Sequence, residues 1–201
     1  MHKNLNNMDR SAIIDTIELR GGYITTGETT SRGEYEQLRR ATEKGTVMRL
    51  RKGIYVEMSA LANNMIDVER IVPHGVLCLY SAFAHYRLST QVPSATCIAI
   101  EAKRKVRLPE YPPIELYFWK KENLELGIIQ KNISGYDVLI TDMERTVCDA
   151  VKYRNKIGLD VCGEVINNYL NKEQHNITLL LEYAQKLRVK NILTKYLETR
   201  L

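Results

Sequence analysis

The chain has 201 residues, 44% of them hydrophobic and 26% charged, with a formal net charge of +5 and a pI near 8.9. This composition fits a globular protein of one large or two small domains, and excludes one that is basic throughout like a histone. No run approaches the roughly eighteen apolar residues of a membrane helix. The polar start (Asn4, Asn6, Asn7, Asp9) lacks the apolar stretch of a signal peptide, so a cytoplasmic location without a membrane partner is expected.

In chain order, residues 1–8 read as an arm. Asp9-Arg10-Ser11 opens a first helix with Ala12, Ile13, Ile14, Ile17 and Leu19 as its apolar positions, and Gly21-Gly22 stops it. Tyr23-Ile24-Thr25 is a short extended piece. Thr26-Gly27-Glu28 begins a supporting helix, and Thr29-Thr30-Ser31 makes the turn after it. Ser31 with Glu34 has the spacing of a capping box, and Tyr35, Leu38 and Ala41 give the next helix an apolar face. Gly45 suits the position just past its end. Residues 47–50 and 53–56 read as two strands turning at Arg51, Lys52 and Gly53.

Residues 59–72 form a link, with Ile66, Val68 and Ile71 in a short helix before Pro73. Tyr80-Ser81 enters a buried helix ending near Arg87-Leu88, and residues 89–93 form a loop. The apolar run 96–100 is the best buried-strand candidate. Residues 103–113, basic and proline-rich, read as an exposed connection. Strands follow at 114–119, 126–130 and 138–140. Helices follow at 143–154, 161–170 and 177–197. The expected fold class is α+β, with an N-terminal winged helix-turn-helix (1–58) followed by a larger mixed α/β domain with C-terminal helices (59–201).

The basic residues concentrate in one place. Between Arg32 and Lys52 there are seven Arg or Lys against three Glu, a net +4 in a chain whose total is +5. Phosphate binding needs such concentration, because each neutralised phosphate releases a counterion. In a winged helix-turn-helix the second helix enters the major groove and the hairpin reaches flanking phosphates. The expected DNA-binding residues are therefore Arg32, Tyr35, Glu36, Arg39, Arg40 and Lys44 on the helix and Arg49, Arg51 and Lys52 on the hairpin. Thr25, Thr26 and Ser31 would position the motif on the DNA backbone.

Chemistry is sparse elsewhere. Glu101-x-Lys103 after an apolar strand is half of a metal-dependent nuclease site, and this is the alternative function. The other half is missing, since no Asp or Glu lies between Glu69 and Glu101. Asp142-x-Glu144-Arg145 with Asp149 reads as an N-cap, a first-turn acid and an i,i+4 pair, with Thr146 and Asp149 tying the helix to the sheet. Ser81 and His85 have the spacing of a nucleophile and base without a third orienting group. Cys78, Cys97, Cys148 and Cys162 sit in apolar surroundings as reduced core residues, and His74 with Cys78 lacks the second pair of a zinc site. No catalytic residue, metal or cofactor is expected.

Three stretches together resemble the AbiEi family, the antitoxins of type IV (AbiE-type) toxin–antitoxin systems. They are the N-terminal region ending in Leu50-Arg51-Lys52-Gly53-Ile54-Tyr55, then Ser81-Ala82 through His85, Leu88-Ser89-Thr90 and Pro93 to the 96–100 strand, and Ile140-Thr141-Asp142-Met143-Glu144-Arg145-Thr146-Val147-Cys148-Asp149. The resemblance spans residues 10 to 155. It implies a repressor of its own operon, bound to double-stranded operator DNA as a possible dimer, and an antitoxin in abortive phage infection. The functional partner it implies is a nucleotidyltransferase-like toxin, with no direct complex required.

Overall fold

The computed structural model of the chain describes residues 12–62, 68–109 and 111–198, and of Arg51, Leu61 and Ala62 the backbone alone. The expected arm, the helix opening at Asp9-Arg10-Ser11 and the apolar Ile66 lie outside the described residues. The architecture is α+β, with one three-stranded and one five-stranded sheet. Contacts divide the chain into two units, one reaching to Asp67 and including Arg107–Pro112, the other made of Val68–Val106 and Pro113–Leu201.

In the first unit, α1 (Ala12–Leu19) buries Ile13, Ile14 and Ile17. Leu19, expected on the same face, is exposed, because two residues beyond Ile17 lies about 200° round the helix. Gly21 and Gly22 both take positive φ and end α1. β1 (Tyr23–Thr25) pairs antiparallel with β3 (Ile54–Glu57), and β3 pairs with β2 (Val47–Arg51), giving the order β1-β3-β2. The expected supporting helix is only a 3-10 turn, Thr26–Glu28. The Glu28 carboxylate accepts the Thr25 N–H at 2.6 Å and the Thr29 hydroxyl donates to the Thr26 carbonyl at 2.8 Å. These side-chain bonds close the turn locally instead of propagating a helix. α2 (Arg32–Glu43) buries Leu38 and Ala41 against the α1 isoleucines, Ile24, Val47 and Tyr55. The hairpin turns at Lys52-Gly53, with Gly53 at φ +83°, and Arg51 still pairs within the ladder. α3 (Met58–Ala62) follows β3 directly and runs into the expected link.

The second unit begins with α4 (Val68–Ile71). Its sheet has the order β6-β5-β4-β8-β7, with β4 at Val76–Leu77, β5 at Thr96–Glu101, β6 at Ile114–Trp119, β7 at Ile128–Ile133 and β8 at Tyr136–Thr141. β5 runs parallel to β6 and antiparallel to β4, β4 is parallel to β8, and β7 and β8 form a hairpin. Cys97 to Ile100 are all buried, as a central strand requires. β4, absent from the sequence reading, is two residues long and too short to show a period.

The helices are α5 (Leu79–Tyr86), α6 (Lys121–Leu124), α7 (Met143–Lys152), α8 (Arg154–Ile157), α9 (Leu159–Leu170), α10 (Ile177–Lys186) and α11 (Lys190–Glu198). The expected helix 143–154 breaks at Tyr153, and the expected helix 177–197 breaks at Arg188, whose φ is +61°. The connection after β5 is mostly exposed, as expected, but Pro109 is buried and the Arg104 guanidinium bonds to the Pro73 carbonyl. All four cysteines are buried, and none of them forms a disulfide. Among the described residues no helix is long and apolar enough to cross a membrane.

Candidate nucleic-acid interface

α2 starts where the sequence places it. The Ser31 hydroxyl accepts the Glu34 N–H at 3.1 Å. Glu34 reaches back to the Thr30 N–H at 2.7 Å, one residue before the expected partner. That bond holds its carboxyl below the usual range. Gly45, at φ +74°, lets the chain leave past Lys44.

The outward face of α2 is a ridge of Arg32, Glu36, Arg39 and Glu43, spaced to fall on one line of the helix. Arg40 and Tyr35 flank it, both exposed. Tyr35, expected on the apolar face, is 43% exposed, so Leu38 and Ala41 alone make the deep contact. Arg39 is held on both sides. Its Nε donates to Glu36 at 3.1 Å and one terminal nitrogen donates to Glu43 at 2.5 Å. Arg32, Arg40 and Lys44 carry no ion pair among the described residues. Three arginines against two glutamates leave this face at +1, so most of the local excess lies on Lys44 and the hairpin.

On the hairpin, Leu50 is buried while Arg49 and Lys52 point to solvent. The Arg49 guanidinium carbon lies 6.0 Å from the ring centroid of Tyr55, its cross-strand partner. The tip is fixed to the 3-10 turn. The Thr26 N–H donates to the Gly53 carbonyl at 2.9 Å, and a Cβ at Gly53 would come within 3.1 Å of the Thr26 hydroxyl. The N–H groups of Thr25 and Thr26 are thus taken inside the unit and are not available to a DNA phosphate. Arg51 is placed by its backbone opposite Ile54.

Elsewhere the candidate groups meet structural partners. Glu101 stands exposed at the end of β5, and among the described residues no three His, Cys, Asp or Glu are grouped to hold a metal ion. The Ser81 hydroxyl accepts the Cys97 N–H at 2.9 Å. His85 instead packs edge-on against Tyr86, and burial lowers its pKa. His74 is exposed whereas Cys78 is fully buried, so the two cannot share an ion.

The acidic and basic residues around α7 form a buried network. Asp142 caps α7 by accepting the Arg145 N–H at 2.7 Å and takes the Tyr183 hydroxyl at 3.0 Å. Glu144 accepts the Tyr169 hydroxyl at 3.1 Å and the Asn176 N–H at 3.0 Å, joining α7 to α9 and to the start of α10. Arg145 is fully buried. Its Nε lies 3.1 Å from both Asp149 oxygens, and one terminal nitrogen donates to the carbonyls of Asn123 and Leu126 at 2.7 and 2.6 Å. Its other terminal nitrogen has no hydrogen-bond partner among the described residues, and the guanidinium stacks 4.5 Å from the Trp119 ring. Burial pushes the Asp149 carboxyl up to about 6, against the pull of Arg145. Thr146 ties the helix to β8 through the Thr141 hydroxyl at 2.7 Å.

Sequence reasoning missed one clasp. Glu164 accepts the Ser89 hydroxyl at 2.7 Å and the Thr90 N–H and hydroxyl at 2.7 and 2.8 Å, binding the loop after α5 to α9. Nothing in the sequence links residues 74 positions apart. No protein-family model matches this chain, and no curated protein does.

Proposed function

We propose that the first unit is a winged helix-turn-helix and that the protein is a DNA-binding autorepressor. One observation carries this reading: a firmly capped helix with an outward arginine ridge is followed by a hairpin whose basic tip is fixed in place. In this reading α2 enters the major groove of operator DNA, with Arg32, Arg39 and Arg40 facing it. Arg49, Arg51 and Lys52 hold flanking phosphates through the hairpin. The resemblance to the AbiEi antitoxins supports a second role for the other unit, counteracting a nucleotidyltransferase-like toxin without a required complex. No observation favours the nuclease alternative.

The test is fluorescence anisotropy with a duplex taken from upstream of the protein's own reading frame, between 50 and 200 mM salt. Replacing Arg49 and Lys52 together by Ala should weaken binding and lower the slope of log K against log salt by up to about two. Unchanged affinity and slope would remove the hairpin from the interface. Antitoxin activity is tested separately, by co-expression with a nucleotidyltransferase-like toxin and measurement of growth.

A further inference from the structure

The geometry points to Arg39, Glu36 and Glu43 acting together as a reader of G·C base pairs that also suppresses non-specific binding. This inference rests on the DNA-binding reading of α2. The three side chains lie on one exposed ridge, and both carboxylates are within hydrogen-bond distance of the same guanidinium. An arginine reads guanine by presenting two N–H donors to O6 and N7. Here Nε is engaged by Glu36 and a terminal nitrogen by Glu43, so the two-donor edge that includes Nε is free only after Glu36 lets go. Reading a base with that edge and keeping the Glu36 contact are therefore alternatives.

What each kind of DNA offers decides between them. A phosphate can attract Arg39, but it repels the two carboxylates brought up beside it. Non-specific DNA thus gives the ridge little, and its arginine stays neutralised. A G·C pair in the major groove offers acceptors on guanine and an N4–H donor on cytosine. It can take the guanidinium and the released carboxylate at once. Exposed ion pairs of this kind are weak, so the exchange has a small barrier in energy and a large requirement in chemistry. Glu36 and Glu43, which look like a dilution of a basic surface, become specificity determinants.

The test exposes three proteins, wild type, R39Q and E36Q/E43Q, to a pool of random-sequence duplexes of about 30 bp, long enough for one motif and its flanks. Affinity for the unselected pool and the sequences recovered from the bound fraction are both measured. Wild type should enrich a motif with at least one fixed G·C pair. R39Q should lose that fixed position while binding the pool within about threefold of wild type, because its arginine contributes little there. E36Q/E43Q should bind the pool about tenfold more tightly, since at ~0.1 M salt one phosphate contact is worth nearly that factor, and its motif should relax. Arg39 and Glu43 are exposed and Glu36 is half-buried, and matching thermal melts would establish that the variants fold. Variant motifs and pool affinities equal to those of wild type would overturn this inference alone, as would a wild-type motif without a fixed G·C pair. Failure of wild type to bind or enrich any duplex would overturn the DNA reading and this inference with it.

Discussion

Two arginines in this chain make the same local pair, a carboxylate four residues on, and serve opposite ends. Arg145 with Asp149 lies in α7 with both side chains fully buried, whereas Arg39 with Glu43 lies in α2 with both more than half exposed. The buried pair adds two carbonyl acceptors and an aromatic face, and so fastens the segment between β6 and β7, strands at opposite edges of the sheet. The exposed pair adds a second carboxylate and nothing else. Sequence spacing is equal in the two cases; the surroundings determine whether the pair organises a fold or a surface.

Removing the buried cation should have the largest effect. Arg145→Met keeps the length and apolar stem but leaves Asp149, Asn123 and Leu126 without their donor. Breaking a buried pair by deleting one partner costs about 3–5 kcal/mol, so urea unfolding should show a loss of that size. A loss below about 1 kcal/mol, the range of exposed pairs, would place Arg145 in the same class as Arg39 and dissolve the contrast.

A change of pH probes the same pair more gently. The folded state raises the Asp149 carboxyl to about 6, above its unfolded value, so folding takes up a proton between the two. That contribution to stability is complete below the unfolded value and is lost as pH rises through the folded one. Asp149→Asn lacks the titrating group. Relative to this variant, wild type should therefore lose stability from pH 4 to 7, by at most about 1.4 kcal/mol for each unit of displacement. A gap moving in favour of wild type over that range would mean that Arg145 outweighs desolvation and that the buried pair is stabilising in its ionised form.

The sequence was readable where the decisive interaction is local. Ser31 and Asp142 cap their helices, Lys52-Gly53 turns the hairpin, and Arg145 finds Asp149, all within four residues of chain. It was unreadable where the partner is distant or the signal short. Glu164 gives no sign that it holds Ser89 and Thr90, β4 is two residues long, and Arg188 offers no glycine to announce its positive φ. The candidate interface falls between these cases. Its basic residues were evident from composition, but the net +4 does not show where the excess lies, and the outward face of α2 holds only +1 of it. The Arg39 clamp uses i−3 and i+4 spacing, so its ingredients were visible; the exposure of Tyr35 and the burial of Leu38 set which way the ridge faces.

The smallest expected effect lies on that ridge. Glu43→Gln removes one side of the clamp, and an exposed i,i+4 pair contributes about 0.3–0.5 kcal/mol. The melting temperature should fall by about 2 °C or less at low salt. The difference should vanish in 1 M salt, where screening acts within about 3 Å. A loss of about 2 kcal/mol or more, beyond the exposed-pair range, would show that Arg39 is packed into the helix rather than held at its surface. Such an arginine could not exchange its carboxylates for a base, so a melting curve would decide against the reader before any DNA was added.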